Sequence, residues 1–398
     1  MGRVHQLFAV LEAVRPAVVT GLLAIVLYLG DHPGYRQPRF LWTGTTKWLL
    51  ALLVWMILSI PGALLAGNSF DLVFDNFVKT VLMYLVMAGS VRGIRDVERL
   101  AGVYLFAAAA YASVVLWRFD LGAGDAWRLG RLYYYDANDF ATLAVTALPL
   151  GLYFVHAGRR PRARVLGAVA LAVLTVTFVR SGSRGGFVAL VAMGGFIVLR
   201  YTAVALRRRL FFLGLVGLVL LVTASDAYWQ QMGTILSDND YNHTEESGRL
   251  QIWSRGIGYM LQHPLLGVGP NNFGAAEGTL SPFAARQQFG FGVRWNAPHN
   301  SFIQVGAELG VPGLVFFLAV IASAFTALRR PSRHDVLAED RPGSRPELTQ
   351  AVTASLIGFV VGAFFLTLAY SEMLYTLVAL AAGLVKLTAD QPPHRRVA

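Results

Sequence analysis

Apolar stretches of about twenty residues recur along almost the whole chain, each long enough to cross the hydrocarbon core of a bilayer as a helix. They fall near residues 8–29, 47–66, 74–90, 99–117, 139–156, 164–180, 185–200, 209–224, 300–327, 350–370 and 373–388. A chain patterned this way has little choice of fold. Lipid offers no hydrogen bonds, so every backbone N–H and C=O inside it must be paired within the protein, and isolated spans must be helical. The 398 residues are 55% hydrophobic and the mean hydropathy is +0.52, too apolar for a soluble domain. The expected fold is an all-α polytopic membrane protein with about 11–12 transmembrane helices. One large, partly helical loop is expected on the outer face. The expected division is residues 1–224 as N-terminal transmembrane helices, 225–298 as that loop and 299–398 as C-terminal transmembrane helices.

The formal charge of +11 does not point to nucleic acid, because the arginines cluster in short segments between apolar spans. These segments are Arg92/Arg95/Arg99, Arg159/Arg160/Arg162/Arg164, Arg200/Arg207/Arg208/Arg209 and Arg329/Arg330/Arg333/Arg341/Arg345. They alternate onto one side, which the positive-inside rule makes the cytoplasm. Arg395 and Arg396 then place the C-terminal tail inside, and an odd number of helices leaves Met1 outside. Only three lysines occur, Lys47, Lys79 and Lys386. The absence of cysteine excludes disulfides, thiolate metal sites and cysteine nucleophiles. No small-residue cleavage site follows the first apolar stretch, so insertion is expected to rely on the spans themselves. No fixed-period repeat is apparent.

Chemistry is expected on the opposite face, in residues 118–138, the link from Arg180 to Arg184, and the long loop 225–298. Pro298-His299-Asn300-Ser301 stands where that loop re-enters an apolar helix. A titratable imidazole there can take a proton from a bound hydroxyl at neutral pH; the plain alternative is a histidine beside a helix cap. Arg180-Ser181-Gly182-Ser183-Arg184 puts two arginines on the side that the positive-inside rule depletes. Their planar forks suit phosphate oxygens, and the alternative is snorkelling to lipid headgroups. The loop adds Arg249, Arg255, Arg286 and Arg294 beside Trp253 and Trp295, some of them partners for Glu245, Glu246 or Glu277.

The helical pattern Gly248 to Gln262 stops at Pro264, and a glycine-rich turn through Gly267 and Gly269 follows. Asp136, Asn138 and Asp139 read as residues at a helix N-terminus, while Tyr133, Tyr134 and Tyr135 beside them offer rings for stacking on sugars. Asp238-Asn239-Asp240 reads as a solvated loop rather than a metal motif, since no strand of an α/β domain accompanies it. Glu308 lies about 13 Å below His299 at 1.5 Å per residue and reads as a structural pairing group. Gly306, Gly310 and Gly313 read as a small-residue face for tight helix packing.

Taken together, these residues resemble the O-antigen ligase and polymerase superfamily of bacterial envelope glycan enzymes. His299-Asn300, followed after nine residues by Gly310 and then Gly313, is similar to the ligases' histidine-to-glycine motif. The Ser183-Arg184-Gly185 turn and the run from Arg249 and Trp253 to His263-Pro264-Leu265-Leu266-Gly267-Val268-Gly269 resemble the family's other landmarks, in the same order over about residues 135–320. The resemblance implies a multi-pass inner-membrane glycosyltransferase with its active site on the periplasmic face. Its donor would be an undecaprenyl-diphosphate-linked glycan and its acceptor lipid A–core or another glycan, with membrane lipids around it, no nucleic acid, and no metal or other cofactor. By carry-over, His299 would be the catalytic base, and Arg184, Arg249 and Arg180 would hold the diphosphate. Asn300, Trp253, Tyr135 and Asn138 would be acceptor or sugar contacts. The resemblance also implies one span more than the eleven placed here, which suggests a missing first helix.

Within that family a repeat-unit polymerase is the neighbouring alternative, and protein O-glycosylation is a third choice of acceptor. A flippase or secondary transporter, from another class, would show repeated halves and midplane polar residues on broken helices, whereas here the polar residues concentrate in one loop. Sidedness is directly testable because the chain has no cysteine. In intact spheroplasts an impermeant thiol reagent is expected to label Asp240→Cys and to spare Asp335→Cys; the reverse pattern would invert the map.

Overall fold

The computed structural model describes residues 16–30, 43–118, 128–129, 135–158, 160–236, 248–284, 297–329 and 343–389. Among these residues the regular structure is entirely helical. The helices are α1 (Pro16–Gly30), α2 (Gly44–Ser59), α3 (Ala66–Ser90, with a π-helical stretch at Asp71–Phe77), α4 (Ile94–Arg118), α5 (Ala137–Ala157), α6 (Pro161–Ser181) and α7 (Arg184–Arg200). They continue with α8 (Leu206–Thr223), α9 (Asp226–Gly233), α10 (Arg249–Gln262), α11 (Phe273–Thr279), α12 (Ser301–Leu328), α13 (Arg345–Ala363) and α14 (Glu372–Ala389).

Within the described residues each apolar stretch read from the sequence overlaps one of these helices, and the chain is an all-α polytopic membrane protein. By length and composition alone, six described segments can cross a membrane: Gly44–Gly62, α3, α4, α5, α6 and α12. A seventh results if α8 and α9, bent by 111°, form one broken span. The other apolar helices are shorter or start on polar turns: α7 has 17 residues, and α13 opens on Arg345-Pro346-Glu347.

Side-chain contacts fix which helix ends lie together. At one end His156 meets both Glu347 and Arg208, Tyr153 donates to Glu98, and Gln350 accepts from the Ala203 N–H. Arg92, Arg95, Arg99, Arg160, Arg162, Arg164, Arg200, Arg207 and Arg208 all belong to segments at this end, as the charge pattern required. At the other end Arg128 reaches Ser181, Arg184 reaches Thr234, Trp253 reaches Pro298 and Ser301 reaches Leu366. Between the two ends α5 is the buried centre of the bundle, packed by α6, α13, α7 and α4. The contact with α13 is close because Gly358 and Gly362 face Val145 and Thr142 with no side chain between.

Two readings of the sequence change in the structure. The stretch 350–370 is not one helix: α13 ends at Ala363, and residues 364–371 form an irregular turn before α14. Phe364, Phe365 and Leu366 carry no helix-stop chemistry, so the break is invisible in the sequence; it exists because other elements take up the freed backbone groups.

The second change concerns Gly306, Gly310 and Gly313, which do not form one packing face. Gly306 admits Met260 of α10, but Gly313 faces Leu309 of its own helix, and Gly310 (φ 68°, ψ −170°) breaks α12 outright. Pro312 brings no N–H to the Glu308 carbonyl, and the residue before a proline is driven away from helical geometry. Three carbonyls therefore lose their helical donors, and each finds another: Val268 N–H donates to Ala307 O, Gly269 N–H to Glu308 O, and Trp55 Nε1–H to Leu309 O, at 2.9, 2.9 and 3.0 Å. The Val311 N–H donates in turn to Pro264 O at 2.8 Å. The turn 263–269 is thus the hydrogen-bonding complement of a broken span. Gly267 and Gly269 occupy left-handed backbone (φ 67° and 96°), and a Cβ at either would strike neighbouring backbone atoms.

Trp55→Phe leaves the Leu309 carbonyl buried without a donor and is expected to cost about 1–3 kcal/mol. Gly310→Ala should cost more, because a Cβ there meets the Pro264 and Leu265 carbonyl oxygens and the positive φ adds about 1–2 kcal/mol of strain. Thermal unfolding of the detergent-solubilised protein measures both. Wild-type melting of Gly310→Ala would show that the break is dispensable.

Candidate active site

The site grows from the start of α12. Asn300 caps that helix, its Oδ1 accepting from the N–H groups of Phe302 and Ile303 at 2.9 and 3.0 Å. The cap orders the residue before it, and His299 takes left-handed backbone (φ 46°), which is uncommon for a residue with a side chain. Its N–H donates to Thr367 Oγ1 at 3.0 Å. The next side chain, Ser301, donates to Leu366 O at 2.7 Å and accepts from the Leu368 N–H at 2.8 Å. The irregular turn 364–371 therefore fixes the backbone on both sides of Asn300. Strain of this kind persists only where the surroundings over-determine it, and it gathers at functional sites.

The same turn gathers the other candidate elements. Gly185, beside Arg184, packs directly on Phe365. Trp253 of α10 lies edge-on to Phe364 with ring centres 5.4 Å apart, and its Nε1–H donates to Pro298 O at 2.9 Å, one residue before His299. Arg249 opens α10 one turn before Trp253. Arg255, on the same helix, forks onto Glu277 of α11 at 2.8 and 2.6 Å, and Tyr259 donates to the same carboxylate. That buried ion pair is structural and holds α10 in place.

Ser183 caps α7 by accepting from the Gly186 N–H, which aims Arg184 out of the first turn, where its Nη1 donates to Thr234 Oγ1 at 2.7 Å. Gly182, left-handed at φ 57°, joins α6 to α7. Arg180 lies in the last turn of α6, half-buried, with its carbonyl accepting from the Leu129 N–H. Asp136 caps α5, taking the Asn138 and Asp139 N–H groups at 2.7 Å each. Arg128, which sequence reading passed over, links these parts: its Nε donates to Ser181 O at 2.8 Å and its Nη2 to Asn138 Oδ1 at 3.1 Å.

His299 is held below its ordinary pKa, first by burial and then by the positive charge of Arg249, with the carboxylate of Asp136 pulling the other way. Two charged groups read separately from the sequence thus act on one imidazole. A histidine so placed is neutral at neutral pH and has a nitrogen lone pair to offer as a base.

His299, Asn300, Trp253, Arg249 and Arg184 are all tied to the 364–371 turn or to residues that contact it. Asn138 and Arg180 lie on the Arg128 side of the same end. Tyr135 is buried against Tyr111, edge to face at 5.5 Å, so its ring is part of the core rather than an open stacking platform. Glu308 is a structural pairing group, accepting from Tyr370 Oη at 2.8 Å and the Phe273 N–H at 3.2 Å. Tyr133, Tyr134, Asp238 to Asp240, Glu245, Glu246, Arg286, Arg294 and Trp295 lie outside the described residues. Thr367 and Ser301 were also missed in the sequence, since a lone hydroxyl in an apolar run carries no signal until its partner is known.

Comparison with known proteins covers part of the chain, including His299, Asn300, Trp253, Arg249 and Arg184 in the family match. Residues 168–318 match the family model described as O-antigen ligase. The exopolysaccharide production protein ExoQ of Rhizobium meliloti (strain 1021) is 31% identical over 162 residues, which are 38% of this chain. The match covers 33% of ExoQ, so the chain spans about a third of the length of this curated relative. Both matches are likenesses of part of the chain, one to the family described as O-antigen ligase and the other to an exopolysaccharide production protein.

Proposed function

We propose that the protein is a membrane glycosyltransferase that moves a glycan from undecaprenyl diphosphate to an acceptor hydroxyl on the periplasmic face of the inner membrane. The observation that carries this reading is the half-buried imidazole of His299, lowered in pKa by desolvation and by Arg249 and fixed at a capped helix start. In the proposed step the acceptor hydroxyl gives its proton to His299 while its oxygen attacks the anomeric carbon of the donor sugar. The bond from that carbon to the diphosphate breaks with inversion, and the electron pair leaves on the phosphate oxygen. Arg184, Arg249 and Arg180 supply positive charge for the departing diphosphate. Preorganised arginines stabilise such charge without reorganising when it forms.

The first choice of acceptor is lipid A–core, which makes the protein an O-antigen ligase, as the matched family model is described. A repeat-unit polymerase is the second reading, favoured by the name of its relative, an exopolysaccharide production protein. Deletion of the gene separates them. Loss of polymer from lipid A–core with lipid-linked polymer accumulating means ligase; lipid-linked or core-linked single repeats mean polymerase. No change in any envelope glycan would exclude both.

His299→Ala is expected to lower transfer by about 10²–10⁴-fold with the protein still folded, the usual size of a general-base contribution. Arg184→Lys keeps the charge but loses the fork of parallel donors, so turnover on a lipid-diphosphate donor should fall, and further in Arg184→Gln. Unchanged turnover in Arg184→Lys at matched protein level would reduce this arginine to a headgroup contact.

The pH profile tests the base itself. Because His299 acts when neutral and its pKa is lowered, activity should persist through neutral pH and fall only on an acid limb below about 6.5. Arg249→Gln removes a positive neighbour, so the pKa should rise and the limb should move to higher pH. Asp136→Asn removes a negative neighbour and should move it to lower pH. A limb that ignores both substitutions would mean that His299 is not the titrating group.

A further inference from the structure

The loop 225–298 was read from the sequence as standing wholly outside the membrane. We infer that residues 249–269 instead form a re-entrant hairpin whose tip is inserted into the bilayer leaflet at the site end, with an apolar face against lipid acyl chains. This is independent of the reaction proposed for His299.

The direction of the hairpin follows from its contacts. Gly256 packs on Ile303, Met260 on Gly306, and the Pro264 and Leu265 carbonyls on Gly310, so α10 descends in parallel with the first turns of α12. The turn then binds Ala307, Glu308 and Val311 through the backbone and climbs back, with the Leu64 N–H donating to Val268 O and Asn272 bonding to Leu65. Its depth is given by α12. The Pro264 and Leu265 carbonyls meet Gly310, nine residues beyond Ser301, which places the bottom of the turn about 13 Å below the start of that helix at 1.5 Å per residue. On the rising limb Leu266 faces Gly62, the last residue of the neighbouring span Gly44–Gly62.

The outward face of the hairpin fits that depth. Leu250, Ile257, Leu261 and Leu265 recur at helical spacing and are all exposed, Leu261 and Leu265 by 69% and 68%. Below them Val311, Val315 and Leu318 of α12, a segment that can itself cross a membrane, continue the same apolar surface. Ser254 lies within the stripe, and Gln251 and Gln262 border it. The charged groups of the hairpin point elsewhere: Arg255 is turned inward onto Glu277. Non-helical backbone at membrane depth is tolerated where its polar groups are paired with protein, and the bonds of residues 264–269 to α12 meet that demand. Continuity with the lipid-facing side of α12 identifies the occupant as acyl chains rather than a second protein.

The cysteine-free chain allows a clean test. Leu250→Cys, Ile257→Cys, Leu261→Cys and Leu265→Cys would be made singly, with exposed Gln230→Cys as the water-facing control, and reconstituted into phosphatidylcholine vesicles. At Leu261 and Leu265 an impermeant maleimide is expected to react about tenfold more slowly than at Gln230, because the reactive thiolate needs water. A fluorophore attached there should be quenched by lipids brominated on the acyl chain, least at Leu250 and most at Leu265. Rapid labelling without lipid quenching would put the face in water and overturn the proposal. Protection from both reagent and brominated lipid would show a protein partner on this face and overturn it equally. Four positions are probed, so loss of one variant to misfolding leaves the depth gradient measurable.

Discussion

The rest of the structure depends on a local failure of helical hydrogen bonding at Gly310. A span inside lipid cannot leave three carbonyls unpaired, since each would cost several kcal/mol. The partners for Ala307, Glu308 and Leu309 come from far away in the chain, two from the turn after α10 and one from Trp55 of α2. Meeting that demand docks α10 along α12. Once α10 is docked, Arg249 and Trp253 have fixed positions relative to His299, because Trp253 holds the Pro298 carbonyl. The break is therefore the reason a loop of this length delivers a guanidinium to an imidazole at a defined place.

The second constraint is electrostatic. Several arginines lie at an end of the molecule that the membrane charge bias depletes. His299 is pushed toward its neutral form there, first by burial and then by one of them, Arg249, and Asp136 opposes both. The helix starts add to the field: α5, α7 and α12 all begin here, each with a side-chain cap, and each presents the positive end of its dipole. An anion is welcome at such a place and an imidazolium is not. The same arrangement that favours an anion thus favours the neutral form of a nearby histidine.

Much of this was legible in the sequence, and what was not has a physical reason. Long apolar periodicity and arginine clustering are redundant signals spread over many residues, so the helices and their two ends could be read directly. Local chemistry was legible too: Asp136 and Asn300 sit at helix starts, Pro264 with Gly267 and Gly269 marks a turn, and Arg255 had Glu277 as a candidate partner. Hydrogen bonds between distant segments were not. Gly310 looked like a packing glycine because its role as a break depends on Trp55 and Val268, far away in the chain. Residues 364–371 looked like the end of a helix because they are apolar, and only Ser301 and Thr367 together reveal that their backbone is used elsewhere. Arg128 looked like any other loop arginine until Ser181 and Asn138 appeared on either side of it.

The two ends of the bundle solve different problems with similar residues. At the arginine-rich end the buried Glu347 takes the Gly343 N–H and His156, whose other ring nitrogen meets Arg208, so α5, α8 and α13 are pinned to one another. Tyr153 and Glu98 add α4 to the same joint. Acid and base meet there in one network that joins four helices. At the site end Glu277 and Glu308 are consumed in bonds to Arg255, Tyr259, Tyr370 and the Phe273 backbone, while Arg184 donates to Thr234 and Arg249 acts on His299. The ends thus differ in how their ionised groups are used: at one they lock helices together, and at the other burial and Arg249 favour the neutral form of a histidine with left-handed backbone beside a helix cap.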